Sequence, residues 1–427
     1  MAIGDVTTFH ERGYTGETAR LQDPVAAARL AALLVLVAAF GCSSGPRLRG
    51  PVYGAQGEPF LSKRVSAAID RTEDPVHRVI LIGDAGAPLP QDPTLATVRR
   101  WADVRPEHTT LVFLGDNLYP AGLEPDDRAR GEAVLRQQIE SARGRRIFVP
   151  GNHDWGYSPG VLQQVGRLGM QQEFVDSHPG AEFQPKSGCP GPVVRTLVPP
   201  SAALARGLTL VIVDFHWWLL PATARPTCDG VVDTAAFLDH LNAELEALAG
   251  GNVIVAAHHP LRSGGTHGGL TRGFWMDLGA SLVYRLYGSL QDLREPSYAE
   301  MVEVVSAALS AHKPLAFVAG HDHSLQVLEG GDAAQLLVVS GAGSAGSITG
   351  VTSLADTLFA HAHAGFVVFD FFEVAGTGGA LLVRVVETGA EQPVFTLGVD
   401  LEAATQDGDV PVGSPAAGAP PAPETGP

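Results

Sequence analysis

The chain has 427 residues, 45% of them hydrophobic, which is enough for one large domain or two small ones with a full core. Its net charge is −17, from 29 Lys plus Arg against 46 Asp plus Glu. Such a balance leaves no electrostatic footprint for a phosphate backbone and excludes nucleic acid or anionic lipid as a general partner. A small phosphorylated substrate is not excluded, because bound cations can set the local charge.

Near the N-terminus, Arg29 precedes an 11-residue apolar run, Leu30 to Phe40. A helix of that length cannot span a bilayer of ~30 Å, and with small residues behind it the run reads as an export signal. It ends in Gly41-Cys42-Ser43-Ser44, which resembles a bacterial lipoprotein cleavage site with Cys42 as the lipidated residue. Residues 1–42 are therefore expected to be an export or lipoprotein-type signal. The mature protein would face the periplasm or the cell exterior, held to the membrane through lipidated Cys42 or, alternatively, soluble and secreted. A buried helix of the mature fold is the other reading of this run.

Residues 43–75 are rich in Gly, Pro and Arg and read as a tether and lead-in to an ordered domain over 76–400. Strands are predicted at 78–82, 110–114, 146–150, 208–215, 252–257, 315–319 and 334–340, with helices at 94–104, 125–143, 232–249 and 298–312. This alternation is a βαβ signature and implies a largely parallel sheet. Three strand-like runs, 366–374, 379–387 and 393–400, follow as antiparallel strands expected to close a second sheet. Two long connections, 155–207 and 261–297, leave from functional motifs and are expected to wall a cleft. Cys189 and Cys228 are an even pair in an exported chain, which suggests a disulfide, with two free thiols as the alternative. Residues 401–427, acidic and rich in Pro, Ala and Gly, read as a disordered tail.

Five short motifs each follow a β-rich apolar run: GDAG at 83–86, GDNLYP at 115–120, GNHD at 151–154, AAHHP at 256–260 and GHDH at 320–323. Strand ends of an open α/β sheet are where binding loops gather, so five such loops suggest one polynuclear metal site with Asp116 central to it. Carboxylate, amide and imidazole together suit borderline-to-hard transition metals. Two such ions ~3.5–4 Å apart can clamp the attacking and leaving oxygens of a phosphoryl displacement. A Tyr ligand must give up a proton of pKa ≈ 10, which favours Fe(III) over Mg or Ca.

These motifs resemble those of the calcineurin-like metallophosphoesterases, and the Tyr of GDNLY resembles the mark of their purple acid phosphatase branch. The resemblance covers roughly residues 78–373. It implies an α/β fold in which two mixed β-sheets pack as a sandwich flanked by helices. It also implies two metal ions. Asp84, Asp116, Tyr119 and His323 would hold Fe(III), and Asp116, Asn152, His258 and His321 would hold a divalent ion (Fe, Zn or Mn). His153 would contact the phosphate, oriented by Asp154, and His267, nine residues after His258, would serve the leaving group. The implied activity is hydrolysis of small phosphate monoesters by a metal-bound hydroxide. Alternatives are a phosphodiesterase or nucleotide hydrolase with the same metals, or a non-catalytic metal-containing surface binding protein. His259, where relatives often carry an aromatic residue, reads as a cleft residue. His361 and His363 match no family motif and read as a strand-edge pair, and His216, Trp217 and Trp218 as packing residues.

Overall fold

The computed structural model describes residues 50–54, 74–156, 160–268, 291–374 and 378–401. The expected signal with Cys42, most of the lead-in, the middle of the second long connection and the tail after residue 401 lie outside the described residues.

Among the described residues, fifteen strands form two sheets. In chain order they are β1 (Val52–Tyr53), β2 (His77–Ile82), β3 (Thr109–Leu114), β4 (Arg145–Val149), β5 (Ala181–Phe183), β6 (Val193–Val198), β7 (Leu208–Ile212) and β8 (Val253–Ala256). Then follow β9 (Ala316–Ala319), β10 (Leu325–Glu329), β11 (Leu336–Ser340), β12 (Thr357–His361), β13 (Gly365–Phe372), β14 (Ala380–Glu387) and β15 (Phe395–Asp400). One sheet runs β15-β14-β13-β2-β3-β4-β5 and the other β1-β12-β10-β11-β9-β8-β7-β6. Each is mixed. Strands β2 to β5 are parallel, as are β7, β8, β9 and β11, with antiparallel strands at their flanks.

The period-two pattern of each central strand explains the layering. Val79, Leu81, Val112 and Leu114 of the first sheet share one buried cluster with Leu210, Ile212, Ile254 and Val318 of the second. Alternate residues point away, so Ile80, Leu111 and Phe113 pack beneath helices instead. Those helices are α1 (Pro93–Ala102) and α2 (Arg128–Ile139). Further along the chain come α3 (Asn152–Trp155), α4 (Val161–Asp176) and α5 (His216–Leu219). On the second sheet α6 (Thr234–Ala247) and α7 (Pro296–Ser310) bring Phe237, Leu241, Met301 and Val305 against Val211, Val255 and Phe317. Each such fully buried aliphatic or aromatic side chain contributes about 1.5–3 kcal/mol. The expected sandwich of two mixed sheets flanked by helices is the fold observed.

Sheet membership differs from expectation in one respect. The last three strands do not close the second sheet; they extend the first, with β13 pairing antiparallel to β2 from Val367 opposite Leu81 to Phe371 opposite His77. The second sheet is built from the 208–340 strands together with β1, β6, β10 and β12. Val52–Tyr53, inside the expected tether, is its edge, pairing with Ala360 and Phe359. The first long connection is mostly scaffold, since it contains α4, β5 and β6. Cys189 and Cys228 form a disulfide.

At one end of the sandwich the sheets are stitched together by polar contacts. Gly83 N donates to Ser340 O (2.7 Å), Gly343 N to Gly83 O (3.0 Å) and Ser340 Oγ to Leu81 O (2.7 Å). The five motif loops leave the C-terminal ends of parallel strands at this same end.

Candidate metal centre

Asp84 follows β2, Asp116 follows β3, Asn152 opens α3 after β4, His258 follows β8, and His321 and His323 follow β9. Three of these residues, Asp84 (φ 58°), Asp116 (φ 52°) and His321 (φ 69°), adopt a left-handed backbone. For a residue with a Cβ that conformation costs of order 1–3 kcal/mol and persists only where surrounding structure enforces it. The glycine before each loop residue has a steric reason. A Cβ on Gly115, at φ +90°, would lie 2.5 Å from His258 Nδ1, and one on Gly151 would lie 2.2 Å from Asp116 Oδ1.

Two adjacent corners result. In the first, one ligand atom each from Asp84, Asp116 and His323 lie within 4.8 Å of one another. The phenol oxygen of Tyr119 sits among them, 3.0 Å from Asp84 Oδ1, 3.0 Å from Asp116 Oδ2 and 3.1 Å from His323 Nε2. Its single proton can serve one of the three at a time. Asp84 and Asp116 are 0% and 2% exposed, and among the described residues neither is paired with Arg or Lys. Burial opposes the charging of His323, yet Asp84, then the Ser347 carbonyl and Asp116, lift it to about 9. Burial, then Asp116 and Asp84, push the Tyr119 phenol well above its usual range. This corner attracts positive charge.

The second corner is a convergence of acceptors. His258 Nε2 lies 2.9 Å from Asn152 Oδ1 and 3.4 Å from Asp116 Oδ1, and His321 Nδ1 lies 3.2 Å from both Asn152 Oδ1 and His258 Nε2. The outer ring nitrogens settle the tautomers. His258 Nδ1 donates to Leu114 O (2.8 Å), His321 Nε2 to Gln291 O (2.8 Å) and, in the first corner, His323 Nδ1 to Ser347 O (2.7 Å). A carbonyl can only accept, so each outer nitrogen keeps its hydrogen and in the neutral form the inward nitrogen presents a lone pair, the arrangement that prepares histidine for a metal; His323 reaches that form on giving up its second proton. Burial first, then His267, His259 and His258, holds His321 well below the usual imidazole range, hence neutral. Lone pairs facing one another without a hydrogen between them repel; a cation among them turns that repulsion into ligation. The residues present therefore fit two ions sharing Asp116, whose Oδ2 faces one corner and Oδ1 the other. Asp116 itself is held low, burial opposing and His258 and His153 prevailing.

The other expected residues fall as follows. His153 lies at the mouth, its ring 4.5 Å from that of Tyr119, its Nε2 3.8 Å from Asp116 Oδ2, its Nδ1 donating to Pro120 O (2.6 Å). His267 packs against His321, ring centroids 4.3 Å apart and planes tilted by 35°. Asp154 does not orient His153. Its buried carboxylate accepts from Gly151 N (2.8 Å), Asn117 N (3.0 Å), Asn117 Nδ2 (3.0 Å) and Leu118 N (3.1 Å), so it ties the GNHD turn to the GDNLYP loop. Burial, followed by Asp116, pushes Asp154 well above the usual carboxylate range against those donors. His361 and His363 stand apart from the centre and pair with Glu387.

Sequence reasoning missed several residues. Asp322, between the two histidines of GHDH, accepts from His267 N (2.9 Å) and Thr266 Oγ1 (3.2 Å) and so fixes the height of His267. His259 is wholly buried rather than a cleft residue, and Gln291 bridges His259 to His216. His216 in turn lies against Trp155, whose Nε1 donates to Asp214 Oδ2 (2.8 Å). Burial raises Asp214 to about 7 and lowers His216 to about 4. GHDH and DFHWW were the available signals; Gln291 had none.

No family model matches the chain, and no curated protein does. Among solved structures, GAP50, the anchor in the inner membrane complex of Plasmodium, is similar at 18% identity and TM-score 0.48, over 77% of this chain and 90% of that one. The purple acid phosphatase PPD1 from yellow lupin (Lupinus luteus) seeds is similar at 13% identity and TM-score 0.48, over 78% of this chain and 55% of that one. The calcineurin-like phosphoesterase YfkN from Bacillus subtilis is similar at 12% identity and TM-score 0.31, over 76% and 90%. At such values the chemistry rests on the site alone.

Proposed function

We propose that the chain is a dinuclear-metal hydrolase of phosphate monoesters, of the purple acid phosphatase-like, calcineurin-like type. One observation carries the reading: side chains from five strand ends turn lone pairs into two corners that share Asp116. A buried phenol among two carboxylates and an imidazole favours a strongly Lewis-acidic ion, Fe(III), in the first corner. Imidazoles and an amide favour a divalent ion in the second. When bound, the two ions neutralise the ester's charge and lower the pKa of water enough for it to attack phosphorus.

The chain's own residues do the rest. His153, partly exposed at the mouth, would donate from Nε2 to the equatorial phosphate oxygens as a doubly protonated ring, while Pro120 O, accepting from Nδ1, fixes its orientation. His267 stands over His321 on the opposite side, where it can hand a proton to the departing oxygen. Asp322 keeps it at that height through the backbone. Asp154 holds the two loops that carry Asp116, Tyr119 and Asn152 in register.

Metal analysis combined with an aryl phosphate monoester and a bis-aryl diester tests this. The expected result is about two ions per chain, one of them iron, a visible colour lost in Tyr119→Phe, and faster turnover of the monoester. Faster diester cleavage would assign a phosphodiesterase, and two ions without turnover a surface binding protein. A purified chain that binds neither ion would sink the reading altogether.

A further inference from the structure

His259 sits beside the second corner with nothing yet assigned to it. It is 0% exposed, and one ring nitrogen each from His258, His259 and His321 lie within 4.8 Å of one another. The ring centroids of His259 lie 5.0 Å from those of His258 and 4.8 Å from those of His321. The strand has ended at Ala256, so the two adjacent histidines need not point to opposite faces.

Its hydrogen bonding repeats the pattern of the other ligands. His259 Nε2 donates to Gln291 Oε1 (2.6 Å), and the same amide turns its nitrogen the other way, donating to His216 Nδ1 (2.9 Å). One amide therefore sets two opposite tautomers. His216 keeps its proton on Nε2, itself buried without a hydrogen-bond partner, and the His259 ring presents a bare lone pair at Nδ1. That Nδ1 is buried and has no hydrogen-bond partner. A buried acceptor without a donor costs about 1–3 kcal/mol and calls for an explanation, and a cation held in this corner would be one. Gln291 also accepts from His321 Nε2 through its backbone carbonyl (2.8 Å), so one residue orients two imidazoles at once.

We infer that His259 supplies a further imidazole to the second metal corner, with its tautomer set by the Gln291 amide. The inference rests on the dinuclear reading but concerns binding, not turnover. An additional nitrogen donor makes this corner richer in imidazole and biases it toward zinc or another borderline divalent ion over Mg or Ca.

The experiment is a zinc titration of the metal-free protein against a competing chelator, with imidazole scattering in X-ray absorption spectra as a second readout. His259→Phe keeps an aromatic ring against Tyr298 and removes the nitrogen. It should weaken the second zinc equivalent at least 10- to 100-fold, leave the first unchanged and remove one imidazole from the fit. An unchanged second affinity and imidazole count would overturn the inference. A wild-type chain that binds fewer than two equivalents would instead count against the dinuclear reading. If His259→Phe does not melt cooperatively, two changes at Gln291 decide. Gln291→Glu still accepts from His259 and should retain the second zinc, whereas Gln291→Met cannot and should weaken it about tenfold. Equal binding by those two variants also overturns the inference.

Discussion

Two buried carboxylate clusters lie on the same sheet, and they could hardly differ more. At β13, Asp370 is 0% exposed and takes two bonds from Arg78, at 2.6 and 3.0 Å, and another from Arg384. It is closed: two arginines of the chain itself compensate the carboxylate. At the far ends of β2 and β3, Asp84 and Asp116 are as deeply buried but, among the described residues, meet imidazoles, a phenol and two backbone amides and no arginine or lysine. Burial alone does not mark a functional carboxylate. A buried charge that the chain meets with titratable histidines and with no arginine or lysine does.

The contrast can be broken most severely by substitution. Asp370→Asn should strand two arginines and destabilise the fold by about 3–5 kcal/mol in denaturant melts, with metal content unaffected in the surviving folded protein. Asp116→Asn should do the reverse, changing metal-free stability by about 1 kcal/mol or less while abolishing binding of both ions. Equal destabilisation by the two would erase the distinction.

Within the metal end, His258 and His267 sharpen the line between holding an ion and moving a proton. His258→Ala should lose the second ion and fail on every substrate. His267→Ala should keep both ions, slow an alkyl phosphate by ~10²–10⁴ and slow an activated aryl phosphate mildly, because the latter's leaving group needs no proton. Metal analysis beside the two rate measurements separates these; equal slowing of both substrates would move the proton-donor role to His153.

The smallest effect is a pH slope. In metal-free protein the folded-state value of His323, about 9, stands above the unfolded 6.5. Its contribution to stability is then complete below pH 6.5 and lost as pH rises through 9. Melts in chelator across that window should show the loss in wild type and not in His323→Gln, and iron should bind more tightly as pH rises, since it displaces that proton. A flat profile in wild type would show that the carboxylates do not attract charge as argued. The Asp370 cluster, with no histidine, supplies no such slope.

Much of this centre was legible in the chain because each ligand follows an apolar run and lies within a motif of four to six residues. A strand end fixes where such a residue must be. Gln291 was not legible: its partners His216, His259 and His321 lie 75, 32 and 30 residues away, and only the folded chain brings them to it. Nor was Asp322 legible, because the groups that donate to it, Thr266 Oγ1 and His267 N, come from another loop. The role of Asp154 was misread for the opposite reason, since adjacency to His153 suggested a bond that the helical turn of α3 directs elsewhere. Sheet membership failed at β13 because alternation reveals that a strand has two buried faces, not which edge it joins.

The bond between Cys189 and Cys228 has a consequence for the stability of the wall beside the metal end. It closes a loop over a sequence separation of 39 residues that includes β6, β7 and the Asp214–Trp218 segment beside the metal end. In the chain-entropy account a closure of that length contributes about 4 kcal/mol, a large part of what a typical domain has in total. Thiols kept reduced by glutathione forgo that contribution. The reduced chain would carry its metal-binding residues on a scaffold closer to unfolding by about that amount.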